Sequence, residues 1–377
     1  MYHIWEYGVG WLKYKMCACA CAKRCLIFKS THHFLLPINP TSTETHLTYT
    51  QHLLEPSQTI SKMSTPSSIT IPWKTDPSAG PIPAHIYFPT PPSSTPHPIA
   101  LIFHAGGFVL GSTSLIPKGQ ISYLVSRGFV VVTPEYRLCP QVSLFAGPVQ
   151  DAGEVLTWCQ SAMPALLQQE TSVAVDASRI VALGHSAGGT LALHTGLCAS
   201  PPLAILDFYG PKCFDDRSWF VPLPVFAQMP DLPRDFTEQI HEGAQAVTSE
   251  AMFVAGKPNL KDARCAWYIA QIKAGTSLSS VVPDGDYQRC DPVTQFSSSF
   301  PPTYFLHGKE DVFVGYALSE RAADKLRKCG VATELMLGEE IGHAFDLQPG
   351  AEESESWGKY VVPALEWLVG KALSERK

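Results

Sequence analysis

The sequence predicts an α/β fold: a mostly parallel central sheet of about eight strands, flanked by helices and interrupted by an inserted cap subdomain. Three observations predict it. Short β-branched and aromatic runs recur from residue 68 onward, separated by Gly/Pro turns and by stretches of helical period. Several runs are almost continuously apolar, as parallel strands buried on both faces require. Two of the later runs stand about 90 residues apart, far beyond an ordinary connection within such a domain.

In chain order, strands are expected at 68–72, 84–88, 99–103, 129–133, 179–183, 203–208, 302–306 and 333–337. Helical spacing fits 118–127, 148–161, 187–198, 315–329 and a last helix near 353–370. Residues 89–98 (PTPPSSTPHP) form a Pro-rich connection that cannot be a central strand. Residues 210–301 carry their own aromatics, Phe214, Trp219, Phe220, Phe226, Phe253, Trp267, Tyr268 and Tyr287, and read as a cap or lid. Most of those aromatics read as the cap's own core. No internal repeat is visible.

Residues 1–62 differ in character from the rest. They hold six Lys/Arg and three Asp/Glu, a charge of +3 in a chain of net −6, so the remainder carries −9. Lys13, Lys15, Lys23, Arg24 and Lys29 interrupt every apolar run, so neither a signal peptide nor a membrane span is expected there. Cys17, Cys19, Cys21 and Cys25 match no zinc spacing, and no second ligand cluster follows. Met63, followed by Ser-Thr-Pro-Ser-Ser, reads as an alternative start of translation. The division expected is therefore a disordered or non-native extension at 1–62 and an α/β domain at 63–377, with the cap at about 210–301.

The composition excludes several classes of function. With 45% apolar and 16% charged residues the chain can build a large core, which excludes overall disorder. Net charge is −6, so nothing suggests a nucleic-acid partner. The chain has eleven cysteines, an odd number, and the seven beyond the first segment are scattered. Cys159 and Cys198 sit in predicted helices among apolar neighbours, where a small buried thiol is expected. Asn39 and Asn259 form no usable glycosylation sequon. The reading is intracellular and cytoplasmic, with reduced thiols. HExxH, a strand-borne GxGxxG and a phosphate loop are all lacking, so neither a metal nor an organic cofactor is expected.

The chemistry concentrates in two Gly-rich turns and two late loops. Gly184-His185-Ser186-Ala187-Gly188 is a G-x-S-x-G directly after an apolar strand and directly before a helix. A sharp turn there lifts the serine hydroxyl out of the sheet, and the Ala187 amide sits at a helix N-terminus, where an oxyanion would form. His104-Ala105-Gly106-Gly107-Phe108 follows the strand at 99–103; its glycines let backbone N–H groups turn toward a substrate oxygen, although an ordinary Gly-rich turn would look similar. A serine nucleophile needs a base, and the base an orienting acid, in the chain order Ser, Asp/Glu, His. His343 lies beyond the last strand and Asp311 just after the strand at 302–306. Both fall at the carboxyl edge of the sheet, where the turn at Ser186 also opens. Glu310 is a rival to Asp311, and His307 to His343. His185 and His194, closer to Ser186 in sequence, read as structural.

These motifs together resemble the hormone-sensitive-lipase-like esterases of the α/β-hydrolase fold. Tyr136-Arg137-Leu138-Cys139-Pro140 is similar to the family's YRLAP segment, Asp151-Ala152 with Trp158 to the helix that follows it, and His343-Ala344-Phe345 to its H-x-F; the likeness covers roughly residues 68–370. It implies Ser186 as nucleophile, Asp311 as acid and His343 as base, with the amides of Gly106, Gly107 and Ala187 as oxyanion hole. It implies a carboxylesterase or acetylesterase acting on a small ester or thioester, and it allows a homodimer, for which the sequence offers no identifiable interface. Two positions depart from the pattern: Ala105 replaces the first glycine of HGGG, and His185 the usual aspartate before the nucleophile. Neither change removes a catalytic group. A looser likeness to hydrolases encoded beside fungal polyketide synthases implies, as an alternative, a dedicated hydrolase, thioesterase or acyltransferase of secondary metabolism. Some plant relatives are non-catalytic receptors that have lost triad members, whereas here all three residues are present.

Overall fold

The computed structural model describes residues 65–374 except 92 and 94. The segment 1–62, with Cys17, Cys19, Cys21 and Cys25 and the alternative start at Met63, lies outside the described residues.

The chain opens with an antiparallel hairpin, β1 (Ser67–Asp76) and β2 (Gly80–Phe88). Alternation follows: β3 (His97–Phe103), α1 (Lys118–Ser126), β4 (Val130–Pro134), α2 (Gln150–Gln160), α3 (Met163–Thr171), β5 (Val175–His185), α4 (Ala187–Thr195) and β6 (Ile205–Phe208). An insertion of short pieces then intervenes: α5 (Arg234–Thr237), a two-strand ribbon of β7 (Phe253–Val254) and β8 (Lys257–Pro258), α6 (Ala263–Ala274), α7 (Ser277–Val281) and α8 (Tyr287–Cys290). The sheet resumes with β9 (Thr303–Gly308), α9 (Ala317–Lys328) and β10 (Thr333–Gly338), and the described chain ends in α10 (Val362–Leu373).

The main sheet has eight strands in the order β1-β2-β4-β3-β5-β6-β9-β10, antiparallel only where β2 meets β1 and β4. Strand residues alternate between two cores because successive side chains point to opposite faces. Ile99, Leu101 and Phe103 pack with Leu156, Leu167, Leu191 and Leu318 of α2, α3, α4 and α9. Ala100 and Ile102 pack with Ile121 and Leu124 of α1 and Leu365 and Leu368 of α10 on the other face. Helices on both faces explain why β3 and β4 are buried along their whole length.

Register sets up the site. Phe103 pairs with Gly184, so β3 and β5 end side by side and their following loops, at 104–108 and 186, are neighbours. Phe208 pairs with Leu306, and Gly308 with Gly338, which brings the loops after β6, β9 and β10 to the same edge.

Outside the insertion, two helices begin differently from expectation and one, α3, was not foreseen. Where the spacing suggested helix from 148 and from 353, regular α-helix starts at 150 and 362, each after a wide π-type turn, Phe145–Val149 and Trp357–Val361. Pro148 and Pro363 have no N–H to close the usual ladder, so the turn widens around them. Helix α3 carries Pro164 in its first turn, a position that starts helices.

Candidate active site

Strand β5 runs straight into Ser186, whose backbone is forced to φ 52°, ψ −122° before α4 begins. So sharp a turn needs space on both sides of the serine. A Cβ on Gly184 would lie 2.1 Å from the carbonyl oxygen of Gly188, and one on Gly188 would lie 2.2 Å from that of Phe103. The two glycines of G-x-S-x-G are therefore demanded by the packing of strand, turn and helix. Ser186 N–H donates to the Phe208 carbonyl at 2.9 Å, which ties the turn to β6.

The structure brings three of the expected residues into hydrogen-bond contact. Ser186 Oγ lies 2.9 Å from His343 Nε2, and His343 Nδ1 lies 2.7 Å from Asp311 Oδ2. The carboxylate fixes the tautomer: Nδ1–H donates to Asp311, leaving Nε2 to accept the serine proton. Asp311 Oδ1 accepts from the amides of Phe313 and Val314 at 2.8 and 2.9 Å. Burial pushes the Asp311 carboxyl up, but the charge of His343 and the hydrogen bonds from His307 and His343 outweigh it, holding the group well below the usual carboxylate range. Glu310 is exposed, and Asp311 is the carboxylate in contact with His343. His307 does not reach Ser186; its Nε2 lies 3.1 Å from Asp311 Oδ2, on the far side of the carboxylate from the serine.

The loop after β3 is propped from beneath. Tyr136 stacks on the His104 ring at 4.2 Å between centroids and donates its hydroxyl to the His104 carbonyl at 3.0 Å. Arg137 in turn is clamped by Asp151 through its backbone N–H, Nε and Nη2, at 2.6–3.1 Å. The Y-R-L-C-P and D-A segments are thus the mounting of the Gly-rich loop. Gly106 and Gly107 adopt φ of 135° and 62°, whereas Ala105 keeps a negative φ, so a side chain at that first position costs nothing in backbone strain.

Several side chains at the site carried no signal by which the sequence could single them out. Phe313 stacks on the His343 ring, with centroids 5.1 Å apart. Tyr209, just past β6, packs its ring 4.8 Å from that of His343 and donates its hydroxyl to buried Asp346. Asp346 also accepts from Gln120 at 2.7 Å and lies 3.2 Å from His185 Nε2, so the histidine before Ser186 is part of a buried polar knot. Burial pushes the Asp346 carboxyl up, but His185 and the Tyr209 hydrogen bond hold it below its ordinary range. His194 is structural, donating Nε2–H to the Cys290 carbonyl at 2.8 Å.

The insertion reaches the Gly-rich loop after β3 directly. Arg264 of α6 donates to the carbonyls of Val109 and Cys139 at 3.1 and 2.6 Å. One turn on, the Tyr268 hydroxyl sits so close to Gly107 that a Cβ there would lie 2.0 Å from it. Burial raises the Tyr268 phenol well above its ordinary range, so it remains a protonated donor. Sequence reading grouped Tyr268 with the cap aromatics, because nothing local distinguishes it from a core residue. Among the described residues no cluster of His, Cys, Asp and Glu has the make-up of a metal site, the seven cysteines are unpaired, and no helix is long and apolar enough to cross a membrane.

Comparison with known proteins agrees with the architecture. The chain is 31% identical over 303 residues to methylphloroacetophenone synthase of Cladonia uncialis, covering 71% of this chain and 12% of that protein. It is 30% identical over 322 residues to non-reducing polyketide synthase ascC of Acremonium egyptiacum, covering 77% of this chain and 15% of that protein. The chain thus spans only 12–15% of the length of these curated relatives. Among solved structures, esterase 2 of Thermogutta terrifontis phosphonylated by sarin superposes with a TM-score of 0.54 at 20% identity, over 83% of this chain and 98% of that one. A Staphylococcus aureus protein of unknown function superposes with a TM-score of 0.58 at 17% identity, over 80% and 99%. These likenesses show the fold. The sequence model of the α/β-hydrolase fold family matches residues 100–347, and the chain belongs to that family, on its hormone-sensitive-lipase-like branch.

Proposed function

We propose that this hydrolase cleaves carboxylic esters through an acyl-enzyme. The observation that carries the reading is the contact series Ser186 Oγ to His343 Nε2 to Asp311 Oδ2, at 2.9 and 2.7 Å, on a strand-to-helix turn beside a Gly-rich loop. Ser186 attacks the ester carbonyl while His343 takes its proton, and Asp311 holds the imidazole and stabilises the imidazolium. The amides of Gly106, Gly107 and Ala187 receive the oxyanion, each such donor being worth about 3 kcal/mol in the transition state. His343 then protonates the leaving alcohol, and water, activated by the same base, releases the acid.

The test is hydrolysis of p-nitrophenyl butyrate by the intact chain and by Ser186→Ala. The variant is expected to stay folded and to lose roughly 10⁶-fold in kcat. Retained turnover refutes the nucleophile assignment. A fluorophosphonate that leaves Ser186 unlabelled in the unsubstituted chain supports a non-catalytic receptor instead.

A second reading follows from the relatives. Relatives of about 30% identity include non-reducing polyketide synthases, which favours a polyketide or related acyl intermediate as substrate, held as a thioester or an oxygen ester and released or transferred by the same chemistry. Thioester and oxygen-ester substrates of matched acyl chain, assayed side by side, separate the two. A kcat/KM at least tenfold higher for the thioester selects the second reading.

A further inference from the structure

Behind Asp311 lies a buried chain of polar groups that the hydrolytic mechanism does not use. His307 Nε2 lies 2.8 Å from the carbonyl oxygen of Val314 as well as 3.1 Å from Asp311 Oδ2. A carbonyl and a carboxylate can only accept, so Nε2 carries the proton. Nδ1 is then an acceptor, and the group 2.7 Å from it is Ser319 Oγ. Lys212 Nζ donates to that same hydroxyl at 2.9 Å, and an ammonium cannot accept, so the hydroxyl proton must turn to His307. Lys212 is paired in turn with Asp207 of β6 at 2.8 Å. With the imidazole neutral, one arrangement of protons satisfies the series: Lys212 donates to Ser319, Ser319 to His307 Nδ1, and the Nε2–H of His307 is shared between the Val314 carbonyl and Asp311.

The location of the series is equally telling. Lys212, Asp207 and His307 are fully buried, and Ser319 is 1% exposed. Burying an ammonium–carboxylate pair is expensive, and apolar residues of similar volume would generally serve stability as well or better. Burial pushes the His307 imidazole down, against the pull of Asp311, and the charge of Lys212 pushes it down further, so it is held as the neutral donor the series requires.

We propose that His307 is a positioning residue for the catalytic groups, its tautomer fixed by Lys212 and Ser319, so that Asp311 Oδ2 is held toward His343. With His307 in place each oxygen of Asp311 meets two donors: Oδ2 the imidazoles of His343 and His307, Oδ1 the amides of Phe313 and Val314. The carboxylate has no free rotation left. Remove His307, and Oδ2 is held by His343 alone, the group it is meant to orient. This inference rests on the hydrolase reading given above.

The experiment compares His307→Leu, His307→Gln and Ser319→Ala, with kcat expressed per Ser186 titrated by a fluorophosphonate, so that loss of folded protein does not count. His307→Leu is expected to lower kcat about 10- to 100-fold with KM within about twofold. His307→Gln, which can still donate to Asp311, is expected to recover most of that loss. Ser319→Ala, which frees the tautomer without removing the donor, is expected to fall between them. An unchanged kcat per titrated serine in His307→Leu overturns the proposal, and so does a His307→Gln as slow as His307→Leu, since that would mark a role in shape alone. Should His307→Leu not fold, Ser319→Ala decides: unchanged kcat overturns, reduced kcat at constant KM supports. An unsubstituted chain that neither turns over ester nor labels at Ser186 sinks the hydrolase reading, and this one with it.

Discussion

The sheet edge around Ser186 and the insertion between β6 and β9 are built in opposite ways. At the sheet edge, strand register places the loops, and two buried carboxylates meet defined partners: Asp311 with four donors, Asp346 with Gln120, His185 and Tyr209. The insertion has one helix of 12 residues, α6, and otherwise helices of five residues or fewer and strands of two. It leaves Phe220, Val221, Val225, Phe253 and Val254 exposed; Phe226, Ile269 and Ile272 form a small core of its own, whereas Phe214, Trp267, Leu278 and Val281 join the main core. A long, regular sheet can hold reacting groups to within a few tenths of an ångström, whereas short elements on a small core can vary in shape without disturbing them. Under the proposed function, chemistry falls to the regular part and selectivity to the irregular one.

The largest test of the rigid half is Asp311→Asn. Every neighbour of this carboxylate is a donor, so the amide NH₂ must face either the two imidazoles or the two backbone amides. Facing the imidazoles, it turns His343 Nδ1 into an acceptor and puts the proton on Nε2, where the serine proton has to go. A fall in kcat of about 10⁴-fold is expected from a chain that still folds. Steady-state hydrolysis of p-nitrophenyl butyrate, with circular dichroism as the folding check, decides. A loss below tenfold would mean that the sheet edge tolerates disorder among its polar groups, and the contrast would fail.

The same contrast explains what could be read from the sequence. The eight strands were legible because they are apolar runs between turn residues, and Ser186, Asp311 and His343 because each follows such a run at a predictable edge. Tyr136, Arg137 and Asp151 were visible as a motif, but their task of propping the Gly-rich loop was not, since the Arg137–Asp151 clamp spans 14 residues and two elements. Lys212 gave no signal at all. A lysine between proline and cysteine at the mouth of a long insertion reads as a surface residue, and only the return of α9 against β6 and β9 buries it. His307 was weighed as a rival base because sequence order cannot say on which side of Asp311 an imidazole will lie. Tyr268 was hidden because α6 carries it beside Trp267 and Ile269, and nothing in the sequence says which of these faces Gly107.

A middle-sized effect probes how the two halves are joined. His194, on the helix that follows Ser186, is buried and donates to the Cys290 carbonyl in α8, and burial pushes its pKa down to about 4. An unfolded histidine titrates near 6.5, so between those values the unfolded chain takes up a proton that the folded chain refuses. Stability from this group is therefore complete above about pH 6.5, falls as the solution is acidified toward pH 4, and is lost by no more than about 3 kcal/mol in all. His194→Gln, which can still donate to the carbonyl, is expected to show a smaller drop in Tm between pH 7 and pH 4.5 than the unsubstituted chain. Equal drops would mean that this joint carries none of the acid sensitivity.

The smallest expected effect is also the most discriminating, because it asks whether the insertion touches the chemistry. Gly107 has φ 62°, a left-handed conformation that alanine takes at a cost of only about 1–2 kcal/mol. The serious obstacle is Tyr268, whose hydroxyl and ring would lie 2.0–2.5 Å from the new methyl. Gly107→Ala is therefore expected to lower kcat/KM about 10- to 100-fold by displacing either the oxyanion loop or helix α6. Tyr268→Ala removes the obstacle, so the double variant should recover part of the loss, giving a coupling of about 1 kcal/mol or more in a double-mutant cycle. Additive losses would show that the insertion merely covers Ser186. A positive coupling means that the shape of the insertion is felt by the loop at Gly107 itself, the route by which, under the proposed function, the insertion would select substrates.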